Sequence, residues 1–266
     1  MGARLLFVLL LVVAVSRAQP VEPGAQAAAL GGSFVSQTSI FSARHNVAGL
    51  AFLENNALAA GARNNYLAGN LNDFYLLGAF RQNFGTIGFD FTYFGLDAYR
   101  QGGLGVNYAR QLSENWSVGI RLAYSYNSIP QESVTRHLVT ADAGILGKFE
   151  HWRIGATVQQ LAQSQWQGRV EEAEPIVLRL GCGYFFTPQT SLTAELFQAL
   201  NAPADVRLGL EYAPADALVI RLGFATARPS VGFGVGLNLK SLSINLAATW
   251  HQQLGLSPIT DVVYAW

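Results

Sequence analysis

From about residue 56 to residue 266, polar and apolar side chains change places at every second position, and no apolar run there is long enough for a membrane-crossing helix. Trp116, Val118, Ile120, Leu122 and Tyr124 fall on one side; Ser117, Gly119, Arg121, Ala123 and Ser125 fall on the other. Successive side chains of a strand point to opposite faces, so such a segment is a strand with one greasy and one polar face. The pattern returns in Val206, Leu208, Leu210 and Tyr212 against Arg207, Gly209 and Glu211, and again over 242–251. Gly, Asn, Pro, Asp and Ser separate the segments, as hairpins require. About 14 segments are expected, starting near residues 56, 71, 85, 101, 115, 137, 151, 175, 190, 204, 217, 228, 242 and 257. A tilted membrane strand takes about 9–11 residues, which leaves room mainly for short turns. The longest connections, 127–136 and 163–174, are expected on the outer face.

Alternation alone fits a soluble sandwich, with the apolar face inward, or a membrane barrel, with the apolar face outward. Charged residues make up 13% of the chain, against about 25% in an ordinary soluble domain. An excess of apolar surface without helical spans points to a barrel in lipid. Residues 1–18 read as a cleavable export signal: Arg4, an apolar run from Leu5 to Val15, then Ser16-Arg17-Ala18. Aromatic residues recur near strand ends (Trp116, Tyr124, Trp152, Tyr212, Trp250), and the last strand, from Asp261 to Trp266, ends in one. The expectation is an all-β antiparallel transmembrane barrel over 56–266, preceded by an N-terminal plug over 19–55. It would lie in the outer membrane of a Gram-negative cell, with the signal removed near Ala18 and membrane lipid as a partner. With 17 basic and 17 acidic side chains, no excess of cations is available to bind nucleic acid.

Four segments place an arginine between aliphatic residues at mid-strand: Arg121, Arg179, Arg207 and Arg221. An arginine at mid-depth on a lipid face costs about 2–4 kcal/mol, so these should point into the lumen. Asp142, Glu195 and Glu211 share that phase and depth and are candidate partners. Equal numbers of opposite charges favour a structural network over a selective transport path.

The segment before the first strand contains Ala29-Leu30-Gly31-Gly32-Ser33-Phe34-Val35 and then Asn46-Val47-Ala48-Gly49-Leu50-Ala51. Here the chain resembles the PorV/PorQ-type outer-membrane proteins, which belong with the long-chain fatty-acid transporter (FadL-like) barrels. Asn46, Ala48, Gly49, Leu50 and Ala51 match their Asn-Pro-Ala-Gly-Leu-Ala motif, with Val47 in place of the proline. Trp250-His251-Gln252-Gln253-Leu254-Gly255 resembles their His-x-x-Leu-Gly ending. The resemblance implies a plug segment tucked into the lumen, with Gly31, Gly32, Phe34, Asn46, Gly49 and Leu50 as its motif residues. It also implies a carrier or scaffold role in type IX secretion, with secretion-system proteins or exported cargo as partners. The alternatives are a passive channel for hydrophobic solutes, with a small molecule in a pocket lined by Phe34, Phe41 and Leu50, and a structural envelope protein that binds another membrane protein.

Enzymatic signals are weak. No serine sits in a Gly-x-Ser-x-Gly context, and His137 near Glu132 and Ser133 is the least poor catalytic candidate. Metal spacings of the His-x-x-x-His or Cys-x-x-Cys kind are absent from the sequence, and Glu171, Glu172 and Glu174 read as a solvated loop. Cys182 shares a phase with Leu178, Leu180 and Tyr184 and reads as a small lipid-facing hydrophobe. The sequence thus points to a non-enzymatic protein without cofactor or metal.

Overall fold

The computed structural model describes residues 22–69, 71–96, 99–130, 134–166, 174–200, 202–227 and 229–266; the export signal, Glu132, Ser133, Glu171 and Glu172 lie outside the described residues. Fourteen strands follow in chain order: β1 Ala57–Asn64, β2 Asn72–Gln82, β3 Gly85–Gly95, β4 Arg100–Gln111, β5 Trp116–Ile129, β6 Val134–Lys148 and β7 Trp152–Trp166. The second half comprises β8 Val177–Thr187, β9 Thr190–Ala199, β10 Asp205–Ala215, β11 Leu218–Ala225, β12 Ser230–Leu239, β13 Leu242–His251 and β14 Gly255–Ala265. Each pairs antiparallel with its sequence neighbours, and β1 pairs with β14 to close the barrel. Closure removes the open edges that lipid cannot satisfy. Among the described residues no helix is long and apolar enough to cross a membrane.

The alternation sets which way each side chain faces. In β10, Val206, Leu208, Leu210 and Tyr212 are exposed on the outer wall while Arg207 is buried inside. In β5, Ile120 and Leu122 are 56% and 60% exposed, and Arg121 between them is 5% exposed. A sandwich would show the reverse, with its aliphatic side chains covered.

All connections at one end are short, residues 83–84, 112–115, 149–151, 188–189, 216–217 and 240–241. Aromatic rings crowd this end: Trp152 lies 4.6 Å from Tyr184, Tyr264 lies 5.5 Å from Trp266, and Trp116 lies 5.7 Å from Phe149. The opposite end carries the longer connections, including 65–71 and 167–176. The expected loop over 127–136 is corrected: β5 continues to Ile129 and β6 resumes at Val134. Asn127 and Arg136 are paired across the ladder. Their polar character belongs to the inward face of two long strands. Likewise β7 extends to Trp166, into the expected 163–174 loop. The β6–β7 pairing shifts register between Ala141 and Ala143, where Gln160 takes a positive φ of 60°.

Two short helices, α1 (Ala25–Ala29) and α2 (Ser42–His45), and a 3-10 turn (Val47–Phe52) precede β1. Most of this segment is buried within the barrel. Phe34, Ile40, Phe41, Val47 and Leu50 form one apolar cluster with Ala57, Ala59, Tyr75 and Leu77 of the wall.

Candidate functional site: a lumen filled by the N-terminal segment

Backbone amides of the segment are held by carboxylates of the wall. The Ala25 amide donates to Asp261 (2.6 Å), which also accepts from Asn245 (2.7 Å) and the Tyr75 hydroxyl (3.2 Å). The amides of Phe34 and Val35 both donate to one oxygen of Glu195 (2.8 Å each), and the Ser117 hydroxyl donates to the Ala48 carbonyl (2.8 Å). Helical and turn segments this short leave many backbone groups unpaired, and a buried unpaired group costs about 1–3 kcal/mol. Side chains of the wall satisfy them.

Glycine makes the contact possible on both sides. Gly31 and Gly32 have positive φ values of 65° and 82°, a region that L side chains rarely adopt. A Cβ on Gly31 would come within 2.5 Å of the Phe224 amide nitrogen, and one on Gly223 would overlap the backbone of Leu30 and Gly31. At Gly49 a Cβ would meet the Gln37 carbonyl oxygen and the Ser42 hydroxyl at 2.6 Å. Asn46 links the two halves of the segment: its amide donates to the Val35 carbonyl (2.8 Å) and to Ile145 of the wall (3.1 Å), and its oxygen caps the 3-10 turn by accepting from Ala48 (3.3 Å). Phe34 and Leu50 are fully buried, with the Phe34 ring 4.9 Å from the His45 ring. Phe34, Phe41 and Leu50, at most 2% exposed, pack with residues of the wall as core.

The charged lumen residues form three groups. Arg121 bridges Asp90 (2.8 Å) and Asp142 (3.0 Å), and Arg44 of the segment approaches the same Asp90 at 3.4 Å. Arg221 pairs with Glu211 (2.6 Å) and donates to Asn245 (3.2 Å), which joins it to Asp261. Arg179 pairs with Glu195 (2.6 Å) and donates to the Gly32 carbonyl (3.0 Å). Arg207 takes Asp205 of its own strand at 2.8 Å and stands 4.0 Å from Glu195. Asp90, Asp205 and Asp261 were not singled out from the sequence. The available signal was a lone acid in the inward phase, as in Phe89-Asp90-Phe91 and Thr260-Asp261-Val262.

His45 is buried against the third group. Arg179 donates to its Nδ1 (3.2 Å), so its Nε2–H is left to donate to the Pro23 carbonyl (3.0 Å). Burial and the Arg179 charge hold the imidazole down at about 3, well below its ordinary 6.5. Glu22 lies alongside, with its carboxylate 3.5 Å from Arg207 and 3.8 Å from Arg179. Burial raises this carboxyl, but Arg207 and Arg179 outweigh it and bring it down to about 2.

The remaining candidates lie elsewhere. His137 forms a 2.7 Å hydrogen bond with the Tyr124 hydroxyl. Glu174 lies beside Gln160 and Gln163, bonded to both. Cys182 is half-buried and paired across the ladder with Ile154 and Ala194. Among the described residues no three His, Cys, Asp or Glu side chains are grouped to hold a metal ion.

Residues 83–213 match the family model described as "Putative MetA-pathway of phenol degradation". No curated protein matches the chain. Among solved structures, the Pseudomonas putida toluene transporter TodX is similar at TM-score 0.68 and 13% identity, over 91% of this chain and 97% of that one. The Ralstonia pickettii toluene transporter TbuX gives 0.67 and 13%, over 91% and 97%. A Pseudomonas aeruginosa FadL homologue gives 0.58 and 12%, over 91% and 96%. At such identity the likeness is one of fold, that of the FadL-like transporters. It does not reach the PorV/PorQ branch or a secretion role.

Proposed function

We propose that this chain is a non-enzymatic outer-membrane channel for small, largely apolar solutes, with residues 22–55 as its plug. The observation that carries the reading is the closed barrel of 14 antiparallel strands with an apolar outer wall and a lumen filled by its own N-terminal segment. The fold shared with two toluene transporters supports small aromatic molecules as the solute class, as does the phenol-degradation family match over 83–213. Gly31, Gly32, Phe34, Asn46, Gly49 and Leu50 seat the plug, and the charge groups around Arg121, Arg179 and Arg221 anchor it. Asp142, Glu195, Arg207 and Glu211 complete these groups.

The test is uptake of radiolabelled toluene by cells whose outer membrane carries or lacks the barrel. Faster uptake with the barrel supports the channel. Equal rates, with the barrel shown to be assembled in the outer membrane, would refute it.

A further inference from the structure

The acids around Arg179 and Arg207 are not held alike. Glu195 is committed to Arg179 and to two plug amides at 2.6–2.8 Å. Asp205 is committed to Arg207 and to the amides of Thr226 and Ala227 at 2.8–2.9 Å. Glu22 is the loose member. Its carboxylate stands at 3.5 and 3.8 Å from the two guanidiniums, and its side chain is 37% exposed while that of Arg179 is fully buried. Glu22 also precedes α1 and belongs to no helix or strand. It can therefore leave without breaking the wall or the short bonds that seat the plug.

An aromatic ring completes the place. Phe197, in the inward phase of β9 with Glu195, lies 4.0 Å from the Arg207 guanidinium carbon and 5.7 Å from that of Arg179. A guanidinium stacked on a ring and still able to meet a carboxylate recognises a flat, anionic molecule: the charge by ion pairing, and the ring by stacking on the free face of the guanidinium plane or by edge contact with Phe197. Other charged or titratable groups near by are Arg63, which donates to the Glu22 carbonyl (3.1 Å), and His45, which accepts from Arg179.

We infer that Arg179, Arg207 and Phe197 form a binding site for a small aromatic carboxylate, and that Glu22 occupies it as a tethered surrogate which the ligand displaces. The transport consequence rests on the channel reading above; the binding site does not. A neutral hydrocarbon gains nothing from the arginine pair, so the site selects for the acid. Displacement of Glu22 removes its two ion pairs from the start of the plug and leaves the Arg63 bond to the Glu22 carbonyl, the His45 bond to the Pro23 carbonyl and the Ala25 bond to Asp261 in place, so ligand arrival loosens that start without unseating it.

The experiment is calorimetric titration of the detergent-solubilised full chain with sodium benzoate, and with benzyl alcohol as the neutral counterpart. In Glu22→Gln the surrogate charge is gone, and benzoate should bind at least about tenfold tighter than to the wild type, with benzyl alcohol unchanged. Adding Arg207→Gln to that variant should abolish the gain. Glu22→Ala, run in parallel and checked for the heat-dependent gel shift of a folded barrel, guards against a folding artefact of the first substitution. Benzoate affinity equal in wild type and both Glu22 variants, an equal gain for benzyl alcohol, or no benzoate binding at all would overturn the site. Benzoate binding without toluene uptake by cells would sink the channel and keep the site; uptake without benzoate binding would do the reverse.

Discussion

Exchanging the facing of two adjacent residues in β5 tests the lipid and lumen assignments together. Ile120 lies four residues from the turn end of the strand, about 13 Å along it and about 10 Å in height at a tilt of about 40°. That is near the middle of an apolar band about 25 Å tall, where an outward arginine costs about 2–4 kcal/mol. Ile120→Arg should therefore lower barrel stability by that amount. Arg121→Ile acts by a different route, because it leaves Asp90 and Asp142 without the guanidinium they share. Orphaning a buried ion pair costs about 3–5 kcal/mol, lessened here because Asp90 keeps Arg44 and Asn107 and Asp142 keeps the Gln160 amide. The two variants differ in what rescues them. Adding Asp90→Asn and Asp142→Asn should restore most of the loss in Arg121→Ile and none in Ile120→Arg. Urea titration of the refolded barrel in lipid vesicles, followed by tryptophan fluorescence, reads these differences. A tolerated Ile120→Arg, or an Arg121→Ile that the two asparagines fail to rescue, would refute the assignment.

Gly223→Val should force the plug away from β11, with overpacking of about 1–3 kcal/mol, and raise the ion conductance of the barrel in planar bilayers. Asn46→Ala removes three hydrogen bonds inside and beneath the plug and should increase protease cleavage within residues 22–55 without loss of the folded barrel on unboiled gels. Acid should loosen the plug: His45 docks neutral with its value held at about 3, so an undocked plug takes up a proton that the docked one refuses as pH falls below 6.5. Its contribution to docking declines from there and is lost by about pH 3; Glu22, lowered from 4.5 to about 2, adds a decline in the same direction at lower pH. Bilayer conductance between pH 7.5 and 4 checks the sign, and His45→Gln should flatten the part between pH 6.5 and 4.

Strand positions were legible because a period of two holds over most of each strand and breaks only at bulges, and every strand begins within three residues of its expected start. Connection lengths were less so. Asn127 to Arg136 is polar enough to read as a loop, yet a lumen-facing strand row is polar too, and only the ladder pairing of Asn127 with Arg136 separates the two. Ion partners depend on register between strands, so Arg121 could be seen as an inward charge while its main partner, Asp90, two strands away, could not. Phe34, Phe41 and Leu50 carry the apolar signature of a pocket or of a core alike. What separates the two is burial, since all three are at most 2% exposed, and wall glycines beside their neighbours in the chain, Gly119 against Val47 and Ala48 and Gly155 against Val35, let plug backbone approach closely.

A lumen filled at rest is tested most directly by the conductance of the wild-type barrel in a planar bilayer at pH 7.5. It predicts no steady ion current in the wild type and a current that appears with Gly223→Val. A steady current from the wild type, of the size expected for a water-filled barrel of this strand number, would contradict it.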